Sequence, residues 1–400
     1  MSTLVGGILL VAAGLVAIPV ATFFVECTLG AGWSRRRGAR SRPSGVRATV
    51  MIPAHDEEAG IRNTIERLKL ELGPEDNILV VADNCSDNTA EVARKCGAEV
   101  IERNHPTERG KGYALSFGTA HVKSQESTPD VVIVLDADCV FVPSSVSALV
   151  ADCFALGRPV QSDYELVITN GASTKAKISS FAFRVKNTLR SRGLDRLGMP
   201  RQLAGTGMAF PWTVLRDAPN TRDWITEDLV LGLELAMRGT PVYLCSDAKV
   251  ESDLAPSTEG QATQRQRWEH GHLSVMAKYV PELLYSGISR RRPELVALAL
   301  DLAVPPLALL TMVVAAGWTL TVVSGGFGFG WAPAALMSTE ALAMLAGVSV
   351  AWNVSGKDLL TLRDIAGLPG YLLHKLPSYS RWFSGRGDKR WVRAERRDSE

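Results

Sequence analysis

Two aspartates two residues apart, Asp136 and Asp138, close the apolar run VVIVL at residues 131–135. Carboxylates so placed at a strand end can hold Mg2+ or Mn2+, hard cations that take oxygen ligands and leave positions for the oxygens of a diphosphate. Aspartate after a buried strand is also a common turn residue, so the pair gains meaning only from its companions. His55-Asp56-Glu57-Glu58 and Asp83-Asn84-Cys85-Ser86-Asp87 each follow another apolar run. Thr226-Glu227-Asp228 opens a helical stretch, where threonine can cap and carboxylates suit the positive end of the helix dipole. In QRQRW, residues 264–268, Arg267 can donate two charge-assisted hydrogen bonds to a phosphate, and Trp268 offers a flat apolar face to a sugar ring. An anchor beside a membrane is the other reading of that last pair.

Groups this far apart in sequence need a scaffold that gathers them. Strands are expected at 48–53, 77–82, 98–102 and 131–135. Helices are expected between them at 57–72, with Ile61, Ile65, Leu68 and Leu72 on one face, at 87–96 and at 111–122. Alternation at this pitch implies an open, largely parallel sheet, with ligands bound beyond the carboxyl ends of its strands, where the acidic segments lie. The first strand is followed by PAHDEEAG rather than G-x-G-x-x-G, which argues against a dinucleotide fingerprint. Gly110-Lys111-Gly112 lacks the upstream glycine and the following Ser or Thr of a P-loop.

The chain has 400 residues, 46% of them hydrophobic and 22% charged, with a formal charge of +2. So small a surplus disfavours nucleic acid as a partner. The charge is unevenly spread: residues 1–25 and 302–339 carry none. Residues 4–25 are long enough to cross a bilayer, and the arginines Arg35, Arg36, Arg37, Arg40 and Arg42 come after them. That order favours an anchor over a cleaved signal peptide, with the N-terminus outside and the following chain cytoplasmic. A second apolar block at 302–354, broken by SGGFGFG at 324–330, reads as two spans, between Arg290-Arg291-Arg292 on one side and Lys357 and Arg363 on the other. Pro305-Pro306 is expected to kink the second span or to lie near its start. Glu340 falls inside the third and is expected to partner a neighbouring helix. The six cysteines show no metal-ligand spacing, and His270 and His272 lack a third ligand. The expected organisation is an anchor at 1–33, a basic linker at 34–45, a cytoplasmic catalytic domain at 46–290, two spans at 291–356 and a cytoplasmic tail at 357–400. In that tail Arg381 to Arg397 interleaves arginines with Trp382, Phe383 and Trp391, a pattern suited to an anionic lipid surface.

In their order along the chain these segments resemble membrane-bound family-2 glycosyltransferases, including polysaccharide synthases. VMIPAHDEEAGI is similar to that family's V-x-I-P-A-x-N-E-E, departing at His55 and Asp56, where Tyr and Asn are usual. ADNCSDNT, ERGKGYAL, LDADC, WITEDLVLGLELAMRG and QRQRW follow in the family's order, over roughly residues 46–275. The resemblance implies a GT-A fold, a mixed α/β sheet sandwiched by helices. It places Pro53, Ala54, Glu58, Asp83, Lys111, Asp136 and Arg267 at a nucleotide sugar, with Asp83 reading uracil. It makes Asp138, with Asp136, the ligand of Mg2+ or Mn2+, and Asp228 the catalytic base beside Glu227, Gln264, Arg267 and Trp268. Gly205, Thr206 and Trp268 fall at the acceptor, and Gln161 and Tyr164 are further acceptor candidates.

The implied reaction is inverting transfer from a UDP-hexose or UDP-N-acetylhexosamine to a growing polysaccharide or lipid-linked glycan, forming a β-linkage at the cell (inner) membrane. The implied partners are the donor, the glycan acceptor and the lipid bilayer, with a homo-oligomer or polysaccharide assembly proteins beside them. Two alternatives are a polyprenyl-phosphate monosaccharide synthase and a non-catalytic sugar-nucleotide-binding subunit of an export complex. VVIVLDADCV, residues 131–140, also fits the first motif of haloacid-dehalogenase-type phosphatases, whose first aspartate attacks phosphate. Here that motif lies on a fourth strand rather than near the start of its domain, and no convincing acidic pair of the kind that family uses for magnesium follows it.

Overall fold

A computed structural model describes residues 2–34, 40–168, 171–253 and 258–385. The chain begins with helix α1 (Ser2–Ala31). Strand β1 (Ala48–Ala54) leads through α2 (Ile61–Lys69) to β2 (Asn77–Asp83), and α3 (Thr89–Lys95) leads to β3 (Glu99–Arg103). Helix α4 (Lys111–Ser124) returns to β4 (Val131–Val134), followed by β5 (Cys139–Phe141), α5 (Ser145–Leu156) and β6 (Val160–Val167). Helix α6 (Thr174–Arg184) passes through a π-helical turn (Val185–Arg190) into α7 (Ser191–Leu197). Then come β7 (Met208–Pro211), α8 (Trp212–Leu215), α9 (Glu227–Met237) and β8 (Tyr243–Asp253). The rest is helical: α10 (Thr258–Ser289), α11 (Pro293–Ala303), α12 (Leu307–Gly326), α13 (Ala332–Ser355), α14 (Leu362–Ala366) and α15 (Leu368–Phe383).

By internal contacts the described residues form two compact units, one of 40–168, 200–253 and 258–271, the other of 2–34, 171–199 and 272–385. The sheet unit holds eight strands in the order β3-β2-β1-β4-β7-β6-β8-β5. The first four strands in that order pair in parallel, in registers such as Val50↔Ile78 and Val50↔Ile133. The Val- and Ile-rich runs of β1, β2 and β4 are buried, as strands covered on both faces must be, while β3 at the sheet edge is only partly buried. Of the other strands, β6 and β8 also pair in parallel. β7 runs antiparallel to β4 and β6, and β5 antiparallel to β8, so the sheet is mixed. This reversal matters for the site: Val134 pairs with Met208, so the loop entering β7 meets the end of β4.

Helix α2 starts four residues later than the expected Glu57. The Glu57 N–H donates to Thr89 Oγ1 at 2.7 Å and the Glu58 N–H to Asp87 Oδ2 at 3.0 Å. The amides that would have begun the helix fasten one loop to the next instead.

In the helical unit α1, α12 and α13 are long and apolar enough to cross a membrane. Gly6 lies against the Phe329 carbonyl and Gly347 against the Phe23 ring, so α1 and α13 run parallel. Buried Met337, Glu340, Met344, Gly347 and Ala351 recur at alternating three- and four-residue spacing, one face of α13. Glu340 is 4% exposed and neither carboxylate oxygen has a hydrogen-bond partner among the described residues, so the helix contact expected of it is packing, not pairing. Pro306 caps α12 and Pro305 precedes it, so the proline pair marks a helix start. Arg190 donates to Glu26 Oε2 at 2.6 Å and to Asp301 Oδ1 at 2.5 Å, tying the π-helical turn to α1 and α11. Residues 171–199, expected inside the catalytic domain, belong with these helices. Arg35, Arg36, Arg37 and the tail beyond residue 385 lie outside the described residues.

Candidate active site

The carboxyl ends of β1 and β2 carry the first two acidic loops, which are bonded to each other. His55 donates from Nδ1 to the Asp83 carbonyl at 2.8 Å, and Asp56 Oδ1 accepts from the Ser86 amide at 2.6 Å and the Ser86 hydroxyl at 3.1 Å. The two residues that depart from the family motif therefore hold the loops in register. Glu58, expected at the nucleotide sugar, accepts from Asn88 N and Asn88 Nδ2, both at 3.1 Å, and does not line the cavity below. Asp56, Cys85 and Asp87 bring ligand atoms within 4.8 Å of one another, but both carboxylates are engaged in these loop bonds.

A cavity of about 620 Å³ opens beside these loops. Pro53, Ala54 and Asp83 line it from β1 and β2, Lys111 from α4, Asp136 and Asp138 from the end of β4, and Gln264 and Arg267 from α10. Lys111 Nζ lies 2.5 Å from Asp136 Oδ1 and donates to the Gly205 carbonyl at 2.7 Å. The Asp136 amide donates to Thr206 Oγ1 at 3.0 Å. Gly205 has φ +90, and a Cβ there would come 3.4 Å from Asp228 Oδ2 and 3.7 Å from Lys111 Nζ. Asp136, Lys111, Gly205, Thr206 and Asp228, separated by up to 117 residues, thus share one small volume because β7 runs back along β4.

The electrostatics follow from that crowding. Burial would lower Lys111, but Asp136, then Glu227 and Asp228, hold its ammonium above the usual lysine range. Burial raises Asp136, with Lys111 opposing and Asp138 adding. Burial and the neighbouring Asp228 push Glu227 up to about 8. Burial lowers Arg267, while Glu227, Asp136 and Asp228 pull it back.

Four carboxylates, Asp136, Asp138, Glu227 and Asp228, act with two cations, Lys111 and Arg267, a donor set rich in hard oxygen. Asp136 and Asp138, with Cys139, bring candidate ligand atoms within 4.8 Å, and Asp138 is the exposed member. These carboxylates fit Mg2+ or Mn2+; the buried thiol does not suit such an ion.

Helix α9 opens at Glu227 with Thr226 as its N-cap, but the expected threonine cap is not made: the hydroxyl forms no cap bond. The Thr226 side chain is pressed against α10 instead, where a Cβ at Gly271 would meet its methyl at 2.5 Å. Gly271 thereby lets α10, which carries Gln264, Arg267 and Trp268 at positions i, i+3 and i+4, pack on the start of α9. Trp268 is half-buried and does not line the cavity, nor do Glu227, Asp228, Gly205 and Thr206.

Gln161 and Tyr164 do not meet the expectation of an acceptor contact. Gln161 is fully buried, donates to the Thr206 carbonyl at 2.8 Å and accepts from the Ala204 amide at 2.9 Å; it clamps the loop that carries Gly205. Tyr164 is buried with its hydroxyl 2.9 Å from Ser252 Oγ. Sequence reasoning passed over this clamp, over Gly271 and over Arg103, whose guanidinium binds Asp83 at 2.7 Å. Arg103 stands at the end of β3, opposite Asp83 in parallel register, a pairing that no spacing within one segment records. His272 is buried, with Lys186 Nζ at 3.3 Å from Nδ1 and the Val304 carbonyl at 3.2 Å from Nε2.

A family model described as "Glycosyltransferase like family 2" matches residues 45–271. A protein named "Probable glycosyltransferase YdaM", from Bacillus subtilis, is 36% identical over 276 residues, 62% of this chain and 59% of that protein. A poly-beta-1,6-N-acetyl-D-glucosamine synthase from Staphylococcus epidermidis is 25% identical over 245 residues, 58% of this chain and 55% of that one. The chain thus spans less than two thirds of the length of these relatives. Among solved structures, the mannosyltransferase PcManGT from Pyrobaculum calidifontis, in complex with GDP-Man and Mn2+, has a TM-score of 0.54 at 17% identity, covering 88% of this chain and 99% of that one. That is a likeness of fold.

Proposed function

The chain belongs to glycosyltransferase family 2, and on that premise we propose that it is an inverting, metal-dependent hexosyltransferase. Its mixed sheet is GT-A-like, and its three apolar helices agree with the membrane-bound form of the family. The donor is a UDP-hexose or UDP-N-acetylhexosamine, and the acceptor a growing polysaccharide or lipid-linked glycan. The single observation that carries this reading is the meeting of Asp136, Lys111 and Asp228 around Gly205, beside a cavity that Asp83 and Arg267 also line.

Each residue has a part in that reaction. Asp83 offers a carboxylate to an N–H of the donor's base. Lys111 and Arg267 put positive charge beside the diphosphate, Arg267 with a planar fork suited to phosphate oxygens. A divalent ion held by Asp138 with Asp136 would supply charge to offset the negative charge developing on the departing diphosphate. Asp228 takes the proton of the acceptor hydroxyl as that oxygen bonds to the anomeric carbon and the bond to the diphosphate breaks, its electron pair leaving with UDP. Burial and the neighbouring Asp228 raise the Glu227 carboxyl, which favours its protonated form and fits Asp228 as the base. Attack opposite the leaving group inverts the centre once, so an α-linked donor gives a β-linkage.

The test is a screen of detergent-solubilised protein with Mg2+ or Mn2+ against UDP-glucose, UDP-N-acetylglucosamine and related donors, with mass analysis of the product. Release of UDP with transfer of one hexose unit to a glycan acceptor supports the reading. Failure to consume any nucleotide sugar in the presence of acceptor sinks it.

A further inference from the structure

Resting on the reading of the cavity as a nucleotide-sugar site, we propose that Arg103 is the positioning residue that decides which nucleotide base is accepted. Together with Asn84 it saturates one oxygen of Asp83, leaving a single acceptor, and so selects uracil against guanine.

Asp83 ends β2, is 4% exposed and lines the cavity. Its Oδ1 accepts from Arg103 Nη1 at 2.7 Å and from Asn84 Nδ2 at 3.1 Å, which uses both in-plane lone pairs of that atom. Oδ2 carries no hydrogen bond among the described residues. Neither donor is loose. Arg103 Nη1 also donates to the Glu108 carbonyl at 2.9 Å and Nη2 to Glu108 Oε2 at 2.8 Å, while the guanidinium lies 5.3 Å from the Tyr113 ring centroid. Asn84 is fixed from its other end, where Oδ1 accepts from the His105 amide at 2.8 Å. The carboxylate therefore presents one fixed oxygen rather than a symmetric pair.

Base chemistry turns this into selectivity. Uracil offers one donor, N3–H, between two carbonyl oxygens. Guanine offers N1–H and an exocyclic N–H side by side, a pair that matches both oxygens of a carboxylate. On Asp83 one of those guanine donors would be left without an acceptor, which should weaken binding about tenfold or more. Cytosine presents a lone pair at N3 where uracil presents the proton, and is disfavoured as well.

The test is equilibrium binding of UDP, GDP and CDP, each with Mn2+, to the solubilised full chain and to Arg103→Gln and Arg103→Lys. Wild type should hold UDP at least about tenfold more tightly than GDP. Arg103→Gln should bring the UDP to GDP ratio within about threefold. Arg103→Lys, which keeps a cationic donor, should retain part of the preference. A change that merely loosened the fold would weaken UDP and GDP alike and leave their ratio intact, and that result overturns the proposal. A wild-type preference for GDP also overturns it, without needing a folded variant. Binding without selectivity removes this inference alone, whereas no binding of any nucleoside diphosphate removes the donor reading with it.

Discussion

Replacing Asp228 by Asn keeps the side chain's size and removes its ability to take a proton. General-base assistance contributes about 10²–10⁴-fold, or about 3–5 kcal/mol of barrier. Asp228→Asn should therefore lower kcat by that order and leave UDP affinity within a few-fold, measured by steady-state kinetics and nucleotide binding. Asp138→Asn takes away a charged ligand, so transfer and donor binding should fall together; unchanged activity in excess chelator would defeat the metal assignment. Glu227 gives a pH signature. Its folded pKa of about 8 lies above the ordinary 4.5, so between those values the unfolded chain releases a proton that the folded chain keeps. Rising pH through that window favours the unfolded state. Glu227→Gln lacks the ionisation, so its thermal stability relative to wild type should improve more at pH 9 than at pH 5. Near-neutral transfer should survive in that variant, and its collapse would make Glu227 the base.

Between elements, one tight constraint on the site is the approach of α10 to the start of α9 at Gly271. A methyl there would sit 2.5 Å from Thr226 Cγ2, with Glu227 and Asp228 next along the chain. Gly271→Ala should push α9 and α10 apart and displace Asp228, lowering kcat roughly 10- to 100-fold, as misplacement of a reacting group does. UDP affinity should change less, since Asp83 stands on β2. Thr226→Ser removes the methyl and should restore activity in the double variant; a double variant no better than Gly271→Ala alone would refute this packing account. Little of this was legible beforehand. The segments carrying Asp228 and Arg267 stand out by residue type, but glycine in a helix announces no contact, and the place of Gln161 in the sequence suggests an acceptor contact whereas its amide binds the Ala204–Thr206 loop.

For the whole molecule, the three apolar helices set the topology. Because α1 and α13 run parallel, spanning by both would put the start of α1 and the 327–331 turn at one membrane face, and the chain after residue 31 and after residue 355 at the other. The arginines that follow the first of these helices lead us to propose, by the positive-inside rule, that this second face is the cytoplasmic one. Reporter fusions placed after residue 40 and within 327–330 should give opposite readouts, cytoplasmic for the first; the same readout at both sites would refute three spans.

What the sequence by itself determined was local: runs of Val and Ile long enough for strands, charge-free stretches long enough for spans, and carboxylates at strand ends. Those features depend on neighbours along the chain, and the first four strands and the three apolar helices appeared close to where the pattern put them. Only the tertiary structure decided that β7 runs antiparallel to β4, bringing Gly205 and Thr206 to Asp136. It alone put residues 171–199 with the apolar helices and gave Asp83 the guanidinium of Arg103. Strand order, direction and cross-strand pairing are set by how buried faces close against one another over long separations in the chain, and no period or spacing within a single segment records that.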